Sequence, residues 1–127
     1  MFSHVMVGVE DMDASRRFYD ATLGALGVGA PFVDDRGRAF YRHAGGTFAL
    51  SEPIDGQPAT HANGGTIGFA AASPEQVNAW HAAGLANGGA TCEDPPGVRE
   101  APWGKLYLAY LRDPAGNKLC ALHRVRS

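Results

Sequence analysis

His4-Val5-Met6-Val7-Gly8-Val9-Glu10-Asp11-Met12-Asp13-Ala14-Ser15-Arg16-Arg17-Phe18-Tyr19 changes its period halfway, and that change decides the fold. Val5, Val7 and Val9 fall on one face and His4, Met6 and Gly8 on the other, the two-residue period of a strand with one wholly apolar face. Asp11 and Asp13 then offer helix N-caps, because a short carboxylate accepts from the free N–H groups of a first turn. Ala14, Phe18, Ala21 and Ala25 follow at helical spacing, Leu26 widens the stripe, and Gly27 ends it. Working outward, residues 31–51 read as three short strands separated by the turns Asp34-Asp35-Arg36-Gly37 and Ala44-Gly45-Gly46.

The same order then returns. Residues 53–64 are rich in Pro, Gly and Asn and form the one credible linker, between a module at about 1–52 and another at about 65–127. Thr66–Ala71 reads as a strand, and Ser73-Pro74-Glu75-Gln76 as a helix start with Ser at the N-cap and Pro at the first helical position. Val77, Trp80 and Gly84 share a face, and Asn87-Gly88-Gly89 ends that helix. Strands are expected near 90–94, reaching toward 99, then at 105–112 and 117–123, the last two joined by Asp113-Pro114-Ala115-Gly116. An offset of 62 pairs Phe18-Tyr19 with Trp80-His81, Leu23 with Leu85, Gly27 with Gly89, and His4 with Thr66. Phe40-Tyr41-Arg42 matches Tyr110-Leu111-Arg112, and after a one-residue insertion Thr47-Phe48-Ala49-Leu50 matches Lys118-Leu119-Cys120-Ala121. A duplicated strand–helix–three-strand unit accounts for this. The expectation is an α+β fold of two βαβββ modules, forming a pair of curved sheets with a shared cleft between their helix-free faces.

Composition bounds what such a fold does. The chain has 127 residues, 45% hydrophobic and 19% charged, enough for a core without disulfides. A net charge of −2, with no Lys/Arg run and no basic stripe, argues against a nucleic-acid partner or an anionic membrane. The N-terminus has no signal-peptide pattern and no stretch nears the ~18 apolar residues of a membrane span, so a cytoplasmic location is expected. Cys92 and Cys120 are read as reduced thiols, too few and too far apart for a disulfide framework.

His4-Val5-Met6-Val7 followed by Asp11, Asp13, Ser15, Phe18-Tyr19 and Leu23-Gly24 resembles the opening of a glyoxalase-like module. Arg112-Asp113-Pro114-Ala115-Gly116-Asn117-Lys118-Leu119 resembles its closing hairpin. With the internal repeat, the chain resembles the vicinal-oxygen-chelate superfamily of glyoxalases, bleomycin-resistance proteins and dioxygenases. The resemblance implies eight strands, a cleft lined by helix-free faces, and in many members a divalent metal that polarises vicinal oxygens of the substrate. It also implies a homodimer, each cleft built from modules of two subunits. The metal's ligands, commonly two His and two Glu, come from the first and fourth strands of each module. Carried over residue by residue, those positions are His4, Ala49, Thr66 and Cys120. Only His4 and Cys120 are chemically able to ligate, so no metal or other cofactor is expected. The carboxylate base of the glyoxalase reaction has no residue at these positions either.

Each candidate carries two readings. His4 is a ligand or a polar contact in the cleft. Cys120 is a thiolate or soft ligand, with Lys118 near enough to lower its pKa, or a small apolar filler. His4 and Cys120 are thus the candidates for catalysis. Tyr41, Trp103 and Tyr107, with Arg38, Arg99, Lys105 and Tyr110, suit a flat, anionic or conjugated small molecule, or are ordinary sheet packing. Thr66, Gly68 and Ala70 are small and leave room beside them. The Pro-rich segment 94–104 is a lid or a stiff connector. The ligand-binding set expected is therefore His4, Tyr41, Thr66, Trp103, Tyr107 and Cys120. Three functions follow: a metal-free protein of the bleomycin-resistance kind that binds a small molecule, a lactoylglutathione-lyase-like or dioxygenase-like enzyme with a reworked metal or cysteine site, and a dimerisation module without ligand.

Overall fold

The structure is a computed structural model and describes residues 1–125. Its elements are β1 (Val5–Gly8), α1 (Met12–Ala25), β2 (Phe32–Val33), β3 (Ala39–His43), β4 (Gly46–Ser51), β5 (Ile67–Ala70), α2 (Pro74–Ala86), β6 (Ala90–Thr91), β7 (Gly97–Ala101), β8 (Gly104–Arg112) and β9 (Lys118–Arg124). Sheet one has the order β1-β4-β3-β2 and sheet two β5-β9-β8-β6, with β7 also on β8. In each module the first strand pairs parallel with the last, and the other pairs are antiparallel. This is the duplicated α+β architecture expected from the repeat, without a closed barrel. The helices start where the short polar side chains predict: Asp11 accepts from Ala14 N at 3.1 Å and Ser73 from Gln76 N at 3.1 Å.

The second module departs from expectation in one place. Pairing stops after Thr91, because Glu93 turns into the left-handed region (φ 58°) and Pro95-Pro96 offers no N–H. It resumes at Gly97↔Leu108, so the middle of the segment expected as lid or connector, Gly97–Ala101, is strand β7.

One core serves both modules. Phe18, Tyr19 and Leu23 of α1 meet Val77 and Trp80 of α2, Tyr41, Phe48 and Leu50 of sheet one, and Ala109, Leu111, Leu119 and Ala121 of sheet two. Phe48 and Phe69 touch across the modules, ring centroids 5.2 Å apart and edge to face. The alternation of the strands thus turns both helix-side faces onto the same helix pair. Gly84 lets the helices close: a Cβ there would run into Leu111 and come within 3.2 Å of Phe18 and 3.3 Å of Thr22.

A polar clip joins the ends of the chain. Asp113, 4% exposed, accepts from the Tyr19 hydroxyl, from Asn117 Nδ2 at 2.8 Å, and from the backbone N–H groups of Ala115 and Asn117 at 2.9 Å each. Asn117 Nδ2 also donates to the Gly8 carbonyl at 3.1 Å. Burial first, then the adjacent Asp113 carboxylate, raises the Tyr19 pKa, so the phenol stays a donor.

Two substitutions test this packing. Gly84→Ala is expected to cost about 1–3 kcal/mol in urea unfolding, the usual penalty of overpacking. Tyr19→Phe, which removes one donor to a buried carboxylate, is expected to cost about 1.5–3 kcal/mol. A midpoint unchanged in either variant would refute the corresponding contact.

Candidate functional site

The four positions aligned with the family's ligands lie on the helix-free faces. On sheet one, Met6, Ala49 and Phe40 form a cross-strand row, and His4 precedes it on β1's side. His4 is exposed, with Nδ1 2.8 Å from Ser3 Oγ. Ala49 is fully buried between its larger in-register neighbours Met6 and Phe40. On sheet two, Gly68, Cys120 and Tyr110 form the matching row, and Thr66 lies just before β5. There Leu106, Leu108 and Cys120 make a second apolar cluster, packed with Tyr110 and Leu122 and separate from the main core.

Both helix-side faces turn onto one core, so both helix-free faces turn away from it. The aligned positions on sheet one (His4, Ala49) and sheet two (Thr66, Cys120) therefore lie on faces that point away from the core, with His4 and Thr66 exposed and Ala49 and Cys120 buried under their neighbours. Next to the first, a hollow of about 490 Å³ opens between Met6, Gly8, Arg38 and Ser51 and the following segment at Pro53 and Pro58. Arg38 is held at its rim by Asp34, Nε to Oδ2 2.6 Å.

The surroundings of Cys120 decide its chemistry. Burial pushes its thiol up to about 11; Tyr110 pulls it down, Glu93 raises it, and Lys118 and Arg99 lower it by lesser amounts. Lys118 pairs with Glu93 and lies 5.0 Å from the Tyr110 ring centroid, so its charge is largely committed elsewhere. Of the two readings of Cys120, burial favours the small apolar filler over a Lys118-activated thiolate: at neutral pH Cys120 is a thiol.

The structure does not bring the six expected ligand-binding residues together. Tyr41 faces the helix side, 2% exposed, and donates to Asp20 Oδ1 at 2.6 Å. Tyr107 also faces that side, donating to Asn78 Oδ1 of α2 at 2.8 Å. Trp103 is 70% exposed at the tip of the β7–β8 hairpin. His4, Thr66 and Cys120 keep the helix-free placement. Glu93 is a residue that sequence reading missed; only its left-handed turn, which no pattern signals, carries it to Lys118.

Against a metal, the donor set is poor. Ala49 has no donor and a Thr hydroxyl is a weak ligand for zinc or iron. Among the described residues no group of three or more His, Cys, Asp or Glu side chains is placed to hold a metal ion. These residues do not fit the family's usual ion.

The sequence matches the family model described as the Glyoxalase/Bleomycin resistance protein/Dioxygenase superfamily over residues 1–121. The chain belongs to that superfamily. No curated protein matches it. Among solved structures it is similar to a glyoxalase/bleomycin resistance protein from Albidiferax ferrireducens T118, at 65% identity and TM-score 0.94, covering 98% of this chain and 99% of that one. It shares its fold with a glyoxalase-related enzyme from Fulvimarina pelagi (19% identity, TM-score 0.74, covering 98% of this chain and 88% of that one). The same holds for a lactoylglutathione lyase from Agrobacterium tumefaciens (22% identity, TM-score 0.65, covering 97% and 92%). No helix among the described residues is long and apolar enough to cross a membrane.

The raised pKa makes a direct prediction. Cys120 alkylation by iodoacetamide is expected to be negligible at pH 7.5 and to accelerate about tenfold per pH unit up to about 11, because only the thiolate reacts. Peptide mass spectrometry reads it site by site. Rapid labelling of Cys120 at neutral pH would reverse this view of the thiol.

Proposed function

We propose that this protein binds a small, partly aromatic molecule without a metal, in a cleft that two copies of the chain build together. The observation that carries this reading is the single shared core, which leaves both helix-free faces outward. A second copy turned about a two-fold axis can set His4, Met6 and Ala49 of one chain opposite Thr66, Gly68 and Cys120 of the other. Support comes from the apolar side chains left bare on sheet one, with Met6 42% and Phe32 62% exposed, a surface that association would cover. The opposing floor of Ala49, Gly68 and Cys120 is small and neutral, which suits a flat ligand gripped by Phe40 and Tyr110 rather than a coordinated one.

A second reading rests on Glu93. It supplies a carboxylate on the Cys120 side of sheet two, where the aligned position itself has none, and a lyase-like reaction needs such a base. In that case Glu93→Gln abolishes turnover of a hemithioacetal substrate, whereas a binding protein shows no turnover to lose.

Sedimentation velocity is expected to show a dimer, and Met6→Glu to shift it to monomer without loss of helical signal. A wild-type protein that stays monomeric at high concentration would defeat the two-copy cleft. Elemental mass spectrometry after incubation with Zn, Ni, Mn and Fe(II) is expected to find no stoichiometric metal. A bound equivalent lost in His4→Ala would overturn the metal-free reading.

A further inference from the structure

The two modules are not treated alike at their inner ends. Val9 and Ala71 donate to the last strands of their own modules, Ser51 and Leu122, at 3.0 and 2.9 Å. In a parallel ladder the preceding residues, Gly8 and Ala70, therefore point their N–H and C=O groups to the open edge. Gly8 finds a partner there in the Asn117 amide, itself held by Asp113. The repeat places Ala70 at the equivalent of Gly8, His43 at that of Asp113, and Gly46 at that of Asn117. All three line one cleft of about 270 Å³. Where the second module sends an amide side chain across, the first has a glycine, and no side chain among the described residues reaches the Ala70 carbonyl. His81, in the place of Tyr19, does not line the cleft.

The walls are apolar: Leu23, Leu26 and Val28 from the end of α1, Phe48 of β4, and Ile67 and Phe69 of β5. No Lys, Arg, Asp or Glu lines it. Its apolar walls belong to the helix-side faces, and it reaches the open edge of β5 at Gly68 and Ala70.

We propose that this cleft is a second binding site, for a neutral ring-sized molecule carrying one hydrogen-bond donor, such as a primary aromatic amide. The ring lies among Leu26, Val28, Phe48 and Phe69, and its donor takes the Ala70 carbonyl as the Asn117 amide takes Gly8. The volume of about 270 Å³ falls just below the usual range of small-molecule pockets, which begins at about 300 Å³, and limits the ligand to about one ring. The absence of a charged wall favours a neutral ligand, since an unpaired charge would lose its hydration. The site shares Gly68 with the metal-free cleft proposed above but none of its gripping side chains, and it stands or falls separately.

The test is a ¹⁵N NMR titration of the intact protein with benzamide, repeated with benzoate. Benzamide is expected to shift the amide signals of Gly46, Phe69 and Ala70 saturably, and benzoate to bind far more weakly. Gly46→Asn supplies the missing side chain, and the backbone has room: the nearest atom to a new Cβ is the His43 carbonyl at 3.8 Å. It is expected to weaken benzamide about tenfold, the worth of one lost hydrogen bond. Val28→Phe fills the apolar end and serves if the first variant fails to fold. The proposal is overturned by any of four results: no saturable shift, shifts centred on Met6 or Cys120, equal affinity in a folded variant, or the same signals moving with protein concentration alone. The last would make the cleft a contact between copies.

Discussion

A carboxylate buried without a cation is among the more costly things a fold can contain, and this one is organised around satisfying it. Asp113 receives four hydrogen bonds from neutral donors, two from its own turn and two from Tyr19 and Asn117. Asn117 then holds the Gly8 carbonyl. Helix α1, strand β1 and the β8–β9 turn are thereby fixed to one point. Because the donors are neutral, the carboxylate's preference is for geometry, and the geometry sets how one module sits on the other.

That seating explains the helix layer. Tyr19 packs edge to face on Phe18 and at a tilt on Phe48, each with ring centroids 4.9 Å away, so the clip at its hydroxyl and the core at its ring act on the same side chain. Phe18 in turn lies against Gly84 and Gly89. Both sheets spend their helix-side faces on this layer. The faces left over carry the positions aligned with the family's ligands, His4, Ala49, Thr66 and Cys120, of which Ala49 has no donor and Thr66 only a weak one.

The strand–helix period change, the caps at Asp11 and Ser73, and the repeat were all legible in the sequence, because each is local or follows from copying. The face carrying His4, Thr66 and Cys120 followed from strand alternation for the same reason. Tyr41 and Tyr107 were less legible. Aromatic residues occupy either face of a sheet, and only long-range partners, Asp20 and Asn78, show which face they took. Glu93 was invisible because a left-handed turn at a non-glycine residue leaves no compositional trace. The one-residue insertion between the two closing hairpins was visible in the alignment of the halves. That the matched Asn117 and Gly46 leave an amide on Gly8 in one module and a cleft beside Ala70 in the other needed the backbone directions of Gly8 and Ala70.

The order in which the chain is made gives the clip another meaning. Tyr19 and Asp113 are 94 residues apart, and Asn117 and Gly8 are 109 apart. On the ribosome the first module can pair β1 with β4 early, yet its open edge and the Tyr19 hydroxyl stay uncovered until Asp113 and Asn117 have emerged. Contacts of such sequence separation form late and slowly. During that interval the nascent first half shows bare apolar surface and an unpaired strand, the features that draw chaperones or neighbouring nascent chains. Closing the β8–β9 turn is therefore also the step that covers this edge and hydroxyl during synthesis.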